Sequence, residues 1–468
     1  QAIAILAQDN SSESDARKVD RPERRRMQHG GGAAAAAALG ASRAMVAEED
    51  EGTIALSIAS ALAGDTAAAV SVKVAKGALV ADVKLRIQEV DGTPIFAQHL
   101  LLGGRPLSDQ DKVAALHLTA GIAFIRMPFD EAQSVALLAL FADSNGDDRG
   151  GDEDVATTIL ALLRTAADPN SRDLSYGRSV LHGAAACGAV GACGVLLACG
   201  AHIEDAAEDG STPLLLAAEA GHLGAVRELL ARGAVAGAPR VDGASPLLMA
   251  SQSGHLSVVA ELCSAGASVN AVAANGSTPL LVAAEVGLAT MVRELICQRA
   301  EVGRTAPRGV SPLLVAATLG HLEALRILLS ARAETEVALS CGLTPLMAAA
   351  QAGKREVVRE LLNWGARVNA ATTDGATALF VASQDGQVEA LRELLEGDAE
   401  VDRPRDDGAT ALLTAAQHGW LTAVRALMRY GACINARMQD GTTPLIVAAH
   451  GGYVHLCREL LGARADVQ

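Results

Sequence analysis

Nine glycines fall 33 residues apart along this chain: Gly177, Gly210, Gly243, Gly276, Gly309, Gly342, Gly375, Gly408 and Gly441. After each of the nine, Leu stands four residues on, Ala seven, Gly eleven, Leu nineteen and Ala twenty-four. "DGSTPLLLAAEAG" at 209–221 and "NGSTPLLVAAEVG" at 275–287 would each pass for a ligand-binding loop if met singly. A period held without slippage over nine units makes them architecture, and a period of this length means a stacked array.

Each fixed position has a physical task. Asp-Gly at 209–210, 242–243, 374–375, 407–408 and 440–441 predicts a tight hairpin turn built on positive φ. The Ser or Thr that follows (Thr212, Ser245, Thr278, Ser311, Thr344) suits a helix N-cap. Pro comes next in six units and suits a first helical position; Val180, Ala378 and Ala411 stand there in the other three. Gly221, Gly254 and Gly287 close this short helix in the left-handed conformation. A second helix follows, as in "HLGAVRELLARG", with Val226, Leu229 and Leu230 as its apolar stripe. One helix pair cannot bury its own apolar face. Stacked copies can, each buried Leu contributing roughly 1.5–3 kcal/mol.

The unit "DGSTPLLLAAEAGHLGAVRELLARGA" resembles the ankyrin repeat, and the resemblance covers residues 175–468. It implies a mainly α fold, an α-solenoid of nine helix–turn–helix/hairpin units whose work is binding other proteins. Two departures carry information. The family's His after the Pro-Leu pair is present only as His182; elsewhere that place holds Leu, Met347, Phe380 or Ile446. The glycine that closes the second helix is replaced by Arg299, Arg332, Asp398 and Arg464 in four units. A non-Gly residue in a left-handed cap costs on the order of 1–2 kcal/mol, so units four and five, closed at Arg299 and Arg332, are expected weak points. Upstream, "DEAQSVALLALFADSN" (130–145) and "DVATTILALLRTAADPNSRD" (154–173) read as the two helices of a degenerate N-terminal cap, residues 129–174.

Residues 1–50 are low complexity, with Ser and Arg runs before "HGGGAAAAAALGA", and are expected to be disordered. The chain opens on Gln, with Met27 and Met45 as candidate starts. Residues 51–128 differ: Ile54, Leu56 and Ile58 alternate, then Val70, Val72 and Val74, which predicts a hairpin. "LVADVKLRIQEVDG" puts Val80, Val83 and Ile87 on one helical face, and "HLLLGG" and "GIAFIRM" read as further strands, together a small α+β β-grasp domain. "VKLRIQEVDGTP" and "LLLGGRPLSD" resemble ubiquitin-like domains. That resemblance implies a docking face at His99, Leu101 and Met127, turned toward ubiquitin-receptor or proteasome machinery. "PFDEAQ" follows Met127 where the family's modifiers end in Gly-Gly, and Arg105 and Ala120 stand at its chain-forming lysines. The departures imply a built-in docking domain, with a passive cap on the solenoid as the competing reading.

Composition excludes several classes of function. A net charge of −15 argues against nucleic acid, since phosphate binding needs clustered Lys and Arg. Only 2% of residues are aromatic, which is poor material for a ligand pocket. No run approaches the ~18 apolar residues of a membrane span, so no membrane partner is expected. All eight cysteines lie between Cys187 and Cys457 with no zinc spacing, which reads as a reducing compartment, cytoplasm or nucleus. "HGGG" at 29–32 lacks the nucleophile elbow that would make it an oxyanion motif. "DSNGDDRGGDED" at 143–154 has Asp148 where a calcium loop needs Gly, and reads as a solvated acidic loop. His222, His255 and His321 recur at one repeat position as loop or capping residues; Trp420 and Tyr453 take the same place and, with Tyr430, are candidate interface anchors. No catalytic, cofactor or metal residues emerge.

The repeat phase also marks a candidate binding face, because ankyrin stacks line a concave surface with hairpin tips and first-helix ends. There the sequence places Val286, Val310, Leu319 and Leu343 between acidic positions that include Glu219, Glu285 and Asp385. An apolar centre with an acidic rim suits a protein client whose apolar anchor is flanked by Lys or Arg. The expectation is a monomeric, non-enzymatic adaptor. The competing class is the targeting portion of a larger enzyme, a ubiquitin ligase or kinase, which the ending "ARADVQ" leaves open.

Overall fold

A computed structural model describes the backbone of six strands between residues 46 and 126, residue Val83, the helices spanning 131–141 and 152–164, and residues 167–466. Two compact units contain them: residues 18–235, and residues 236–468 grouped with 1–17.

In the first unit the strands are β1 (Val46–Glu49), β2 (Thr53–Ser60), β3 (Ala69–Ala75), β4 (Gln98–Leu102), β5 (Arg105–Pro106) and β6 (Ile122–Arg126). β2 pairs antiparallel with β3 from Thr53↔Ala75 to Ala59↔Ala69. Its other edge takes β1 antiparallel and β6 parallel, and β4 runs antiparallel between β6 and β5. β1 begins inside the stretch assigned to the low-complexity arm. Of the helix expected over "LVADVKLRIQEVDG", Val83 is helical and buried; its remainder lies outside the described residues.

Two helices, Glu131–Ala139 and Asp152–Arg164, precede the first repeat and pack on its helix pair. Ser134 Oγ accepts the Asp168 N–H at 2.9 Å. Gly183 must be glycine because a Cβ there would stand 2.5 Å from that of Phe141.

Every repeat uses one plan. In the second unit the first helices are Pro246–Ser253, Pro279–Val286, Pro312–Leu319, Pro345–Gln351, Ala378–Gln384, Ala411–Gln417 and Pro444–His450. Each begins where the N-cap hydroxyl accepts a backbone N–H three residues on, as Ser311 does from Leu314 at 3.1 Å. First helices pack on first helices and second on second. A middle first helix is therefore flanked on both sides and backed by its own partner, and Pro279 through Ala284 are all buried. The second helices bury one stripe only, such as Val357, Val358 and Leu361 of Arg355–Asn363.

The hairpins differ from expectation in one respect. At Asp242-Gly243 only the glycine takes positive φ, at 80°. The Arg240 N–H meets the Ala244 carbonyl at 2.9 Å and the Gly243 N–H meets the Arg240 carbonyl at 2.8 Å, a three-residue loop ending in a left-handed Gly. The aspartate acts through its side chain: Asp242 Oδ1 accepts the Ala244 N–H at 3.0 Å, and Asp407 does the same for Ala409.

Two hydrogen-bonded ladders join successive repeats. At the tips one hairpin donates to the one before it, as Ala274 does to Asp242 at 2.8 Å and Thr373 to Cys341 at 3.0 Å. Near the second-helix exit, a side-chain oxygen accepts an N–H of the next repeat: Asn270 from Glu301, Glu336 from Arg367, Asn369 from Glu400, Asp402 from Cys433 and Asn435 from Asp466. Both ladders break between the fourth and fifth repeats. Pro307 occupies the donor position and has no N–H, and Gly303, like Gly237 two repeats earlier, stands where other repeats bring an oxygen. Arg299 and Arg332 sit in the left-handed region at φ 68° and 65°, as do Asp398 and Arg464, and the tip residue Arg308 joins them at 64°. The strained positions expected at units four and five thus coincide with a junction that lacks both ladder bonds.

Candidate protein-binding surface

The hairpin tips and the C-terminal ends of the first helices share one face of residues 236–468. Val286 and Leu319 are exposed there, at 47% and 36%, on consecutive first helices. Glu285 and Asp385 are exposed as well, and the Glu285 carboxylate has no partner among the described residues. Two expected members of the apolar centre are drawn inward. Leu343 is 8% exposed, and its carbonyl accepts the Leu339 N–H at 3.0 Å as it closes the hairpin against the stack. Val310 is half-buried for the same reason, its carbonyl accepting the Ala306 N–H at 2.8 Å. Glu219 is half-buried and belongs to the other unit, residues 18–235.

Sequence reasoning missed a cavity of about 440 Å³ between the third and fourth repeats. Leu248, Met249 and Val282 form its floor, the tips at Asp242 and Asn275 its walls, and Gln252, Glu285 and Val286 its mouth. Arg240 donates to Asp242 through Nε at 3.1 Å and through a guanidinium nitrogen at 2.5 Å. This pairing holds the Asp242 carboxyl below the usual carboxylate range, so the wall is an internally neutralised ion pair. The signal was present in the period: Met249 and Val282 fill one repeat position, and Gln252 and Glu285 another.

In residues 18–235 a second cavity, of about 490 Å³, lies between the cap and the first repeat, with Leu138, Phe141, Tyr176 and Arg178 among its lining. Arg178 stacks over the Tyr176 ring at 5.2 Å. His182 is fully buried beside it: Nδ1 accepts the Ser179 N–H at 3.0 Å and Nε2–H donates to the Ser211 carbonyl at 2.9 Å. Burial lowers the His182 pKa from its ordinary value and keeps the ring neutral.

His222, His255 and His321 each occupy the N-cap of a second helix without capping it through the side chain. His321 reaches back instead: Nε2 donates to the Glu285 carbonyl at 3.0 Å, closing the preceding first helix. Tyr430 is 43% exposed and Tyr453 37%. His99 and Leu101 lie on the backbone of β4; their side chains, and Met127, fall outside the described residues. Among the described residues no group of three or more His, Cys, Asp or Glu side chains is placed to hold a metal ion. The eight cysteines are free thiols. No described helix is long and apolar enough to cross a membrane.

The family model for ankyrin repeats in three copies matches residues 149–239, 181–273, 247–338, 313–405 and 398–468. No curated protein sequence matches the chain significantly. Among solved structures, the crystal structure of the human ASB11 ankyrin repeat domain is similar, with 27% identity, a TM-score of 0.44 and coverage of 48% of this chain and all of that one. Repeat period, helix-pair stacking and family match together place this chain in the ankyrin repeat family.

Proposed function

We propose that this chain is a non-enzymatic adaptor that holds a client protein against the tip-and-first-helix face of its repeats. The observation that carries this is the shelf formed by exposed Val286 and Leu319 beside the unpartnered Glu285 carboxylate. Exposed aliphatic side chains on adjoining repeats have no packing task, and an apolar patch rimmed by acidic groups is what a protein partner covers. The test is co-precipitation by the full chain and by a Val286→Asp, Leu319→Asp double variant. Both positions are exposed, so the variant keeps its fold. Clients lost by the variant support the reading, and an unchanged set of clients refutes it.

Residues 51–128 serve in this proposal as a second docking element toward ubiquitin-receptor or proteasome components. What supports it is the likeness of "LLLGGRPLSD" to ubiquitin-like domains, together with a strand order in which β2 runs antiparallel to β3 and parallel to β6. Binding of the full chain to an immobilised ubiquitin-interacting helix, weakened by Leu101→Ala, would support it. No binding above that of residues 129–468 would end it.

A further inference from the structure

The cavity between the third and fourth repeats is built unlike a general docking shelf. Its floor is wholly apolar, with Leu248, Met249 and Val282 each under a tenth exposed, while its mouth is open to solvent at Gln252, Glu285 and Val286. Of its two carboxylates, Asp242 is neutralised by Arg240 and Glu285 is not. The site therefore offers an apolar floor beneath largely polar walls, and one uncompensated negative charge at its rim.

Resting on the adaptor reading above, we infer that this cavity is the anchor pocket for an extended peptide segment of the client. An aliphatic side chain enters the cavity, a Lys or Arg pairs with Glu285, and a second aliphatic side chain lies on the Val286–Leu319 shelf. Spacing follows from the stack. Packed helices lie about 8–10 Å apart, and three extended residues span about 10 Å. The two aliphatic residues thus stand at positions i and i+3, with the cation between them. An acidic segment is disfavoured, because its carboxylate would face Glu285 with no unpaired cation of the cavity to meet it. A basic partner also accords with the net charge of −15 of the whole chain.

The test selects an amidated random 12-residue peptide library on the full chain, then measures the selected peptides on three single variants of the cavity and its control, and on Leu319→Asp, which removes the shelf. Gln252→Trp fills the cavity mouth from an exposed position, Glu285→Lys reverses the rim charge, and Asp385→Lys makes the same reversal three repeats away. Thermal melting of each variant checks the fold. The expected peptides carry aliphatic residues at i and i+3 with Lys or Arg between, lose about tenfold or more in affinity on Gln252→Trp and Glu285→Lys, and bind Asp385→Lys unchanged. Selected peptides that ignore Gln252→Trp but lose binding on Leu319→Asp would overturn the anchor pocket while leaving the adaptor reading intact. Acidic peptides, or none above a chain-free control, would overturn the pocket too, and the co-precipitation experiment decides the adaptor reading separately.

Discussion

Trp420 Nε1 donates to the Gln384 carbonyl at 3.0 Å, across a repeat boundary. The indole lies where a side chain on Gly386 would be, within 2.6 Å of an added Cβ. A residue at the start of one second helix thus closes the first helix of the preceding repeat, and His321 does the same for Glu285. Removing the ring should loosen that boundary. Trp420→Ala is expected to lower stability by about 1–2 kcal/mol, from one hydrogen bond and the packing of a partly exposed indole against Gly386. Trp420→His should recover part of the loss. Urea unfolding of the three proteins checks both, and equal midpoints for wild type and Trp420→Ala would defeat the capping role.

The junction between repeats four and five can be repaired from the chain's own examples. Gly303→Asn supplies the oxygen that Asn270 and Asn369 bring elsewhere, and should add about 0.5–1.5 kcal/mol. Arg308→Asn relieves a left-handed arginine at a turn position where Asn is tolerated, with a gain of about 0.5–1 kcal/mol. Hydrogen exchange should show the helices around 289–330 as the least protected of the interior repeats in the wild type, and more protected in the double variant. Protection already equal to that of the neighbouring repeats would contradict the weak-junction reading.

Glu393 is 5% exposed and bridges two arginines of the preceding second helix, accepting from Arg355 Nε at 2.7 Å and from Arg359 Nε at 2.9 Å. The Arg359 hydrogen bond, seconded by Arg355, holds its carboxyl below the usual range. A depressed carboxyl contributes stability that is full above its ordinary pKa of 4.5 and is lost as pH falls through the folded value. Glu393→Gln should therefore cost about 1–2 kcal/mol at neutral pH, because the arginines remain half exposed and screened. The gap between wild type and variant should narrow well below pH 4.5. A gap that persists unchanged in acid would show that packing, not charge, sets it.

His182 is acid-sensitive in the same direction, as a buried base that must stay neutral. Its folded pKa lies below the ordinary 6.5, so its contribution is whole above 6.5 and is lost as pH drops toward the folded value. Amides near Ser179 and Ser211 should lose protection between pH 7 and 5, after correction for intrinsic exchange. His182→Leu, the residue most other repeats use, should flatten that dependence while leaving the Ser211 carbonyl without its donor. A pH profile identical in both proteins would exclude the imidazole as its source.

The period made much of this legible beforehand. Thr278 before Pro279 announces a helix start, Gly287 its left-handed end, and Arg299 and Arg332 announce strain, because each depends on backbone geometry local to a few residues. The pairing of Asp242 with Arg240 lay two residues apart and still escaped, since the turn was expected to use the aspartate's backbone and it uses the carboxylate.

What the sequence determined by itself was the repeating unit, its caps and the helices each unit forms, because these rest on short-range conformational preference and a fixed spacing. What only tertiary structure decided was which side chains remain available once units are stacked. Leu343 and Leu319 look equally apolar in the chain, yet the hairpin closes over one and leaves the other in solvent. Nothing in the chain alone sets Met249 and Val282 apart; the two hairpin tips beside them leave a cavity above. Gly303 is marked only by the oxygen that Asn270 and Asn369 bring at the same place in other repeats. Exposure and inter-repeat bonding are properties of the packed array, in which each side chain is judged against a residue about 33 positions away.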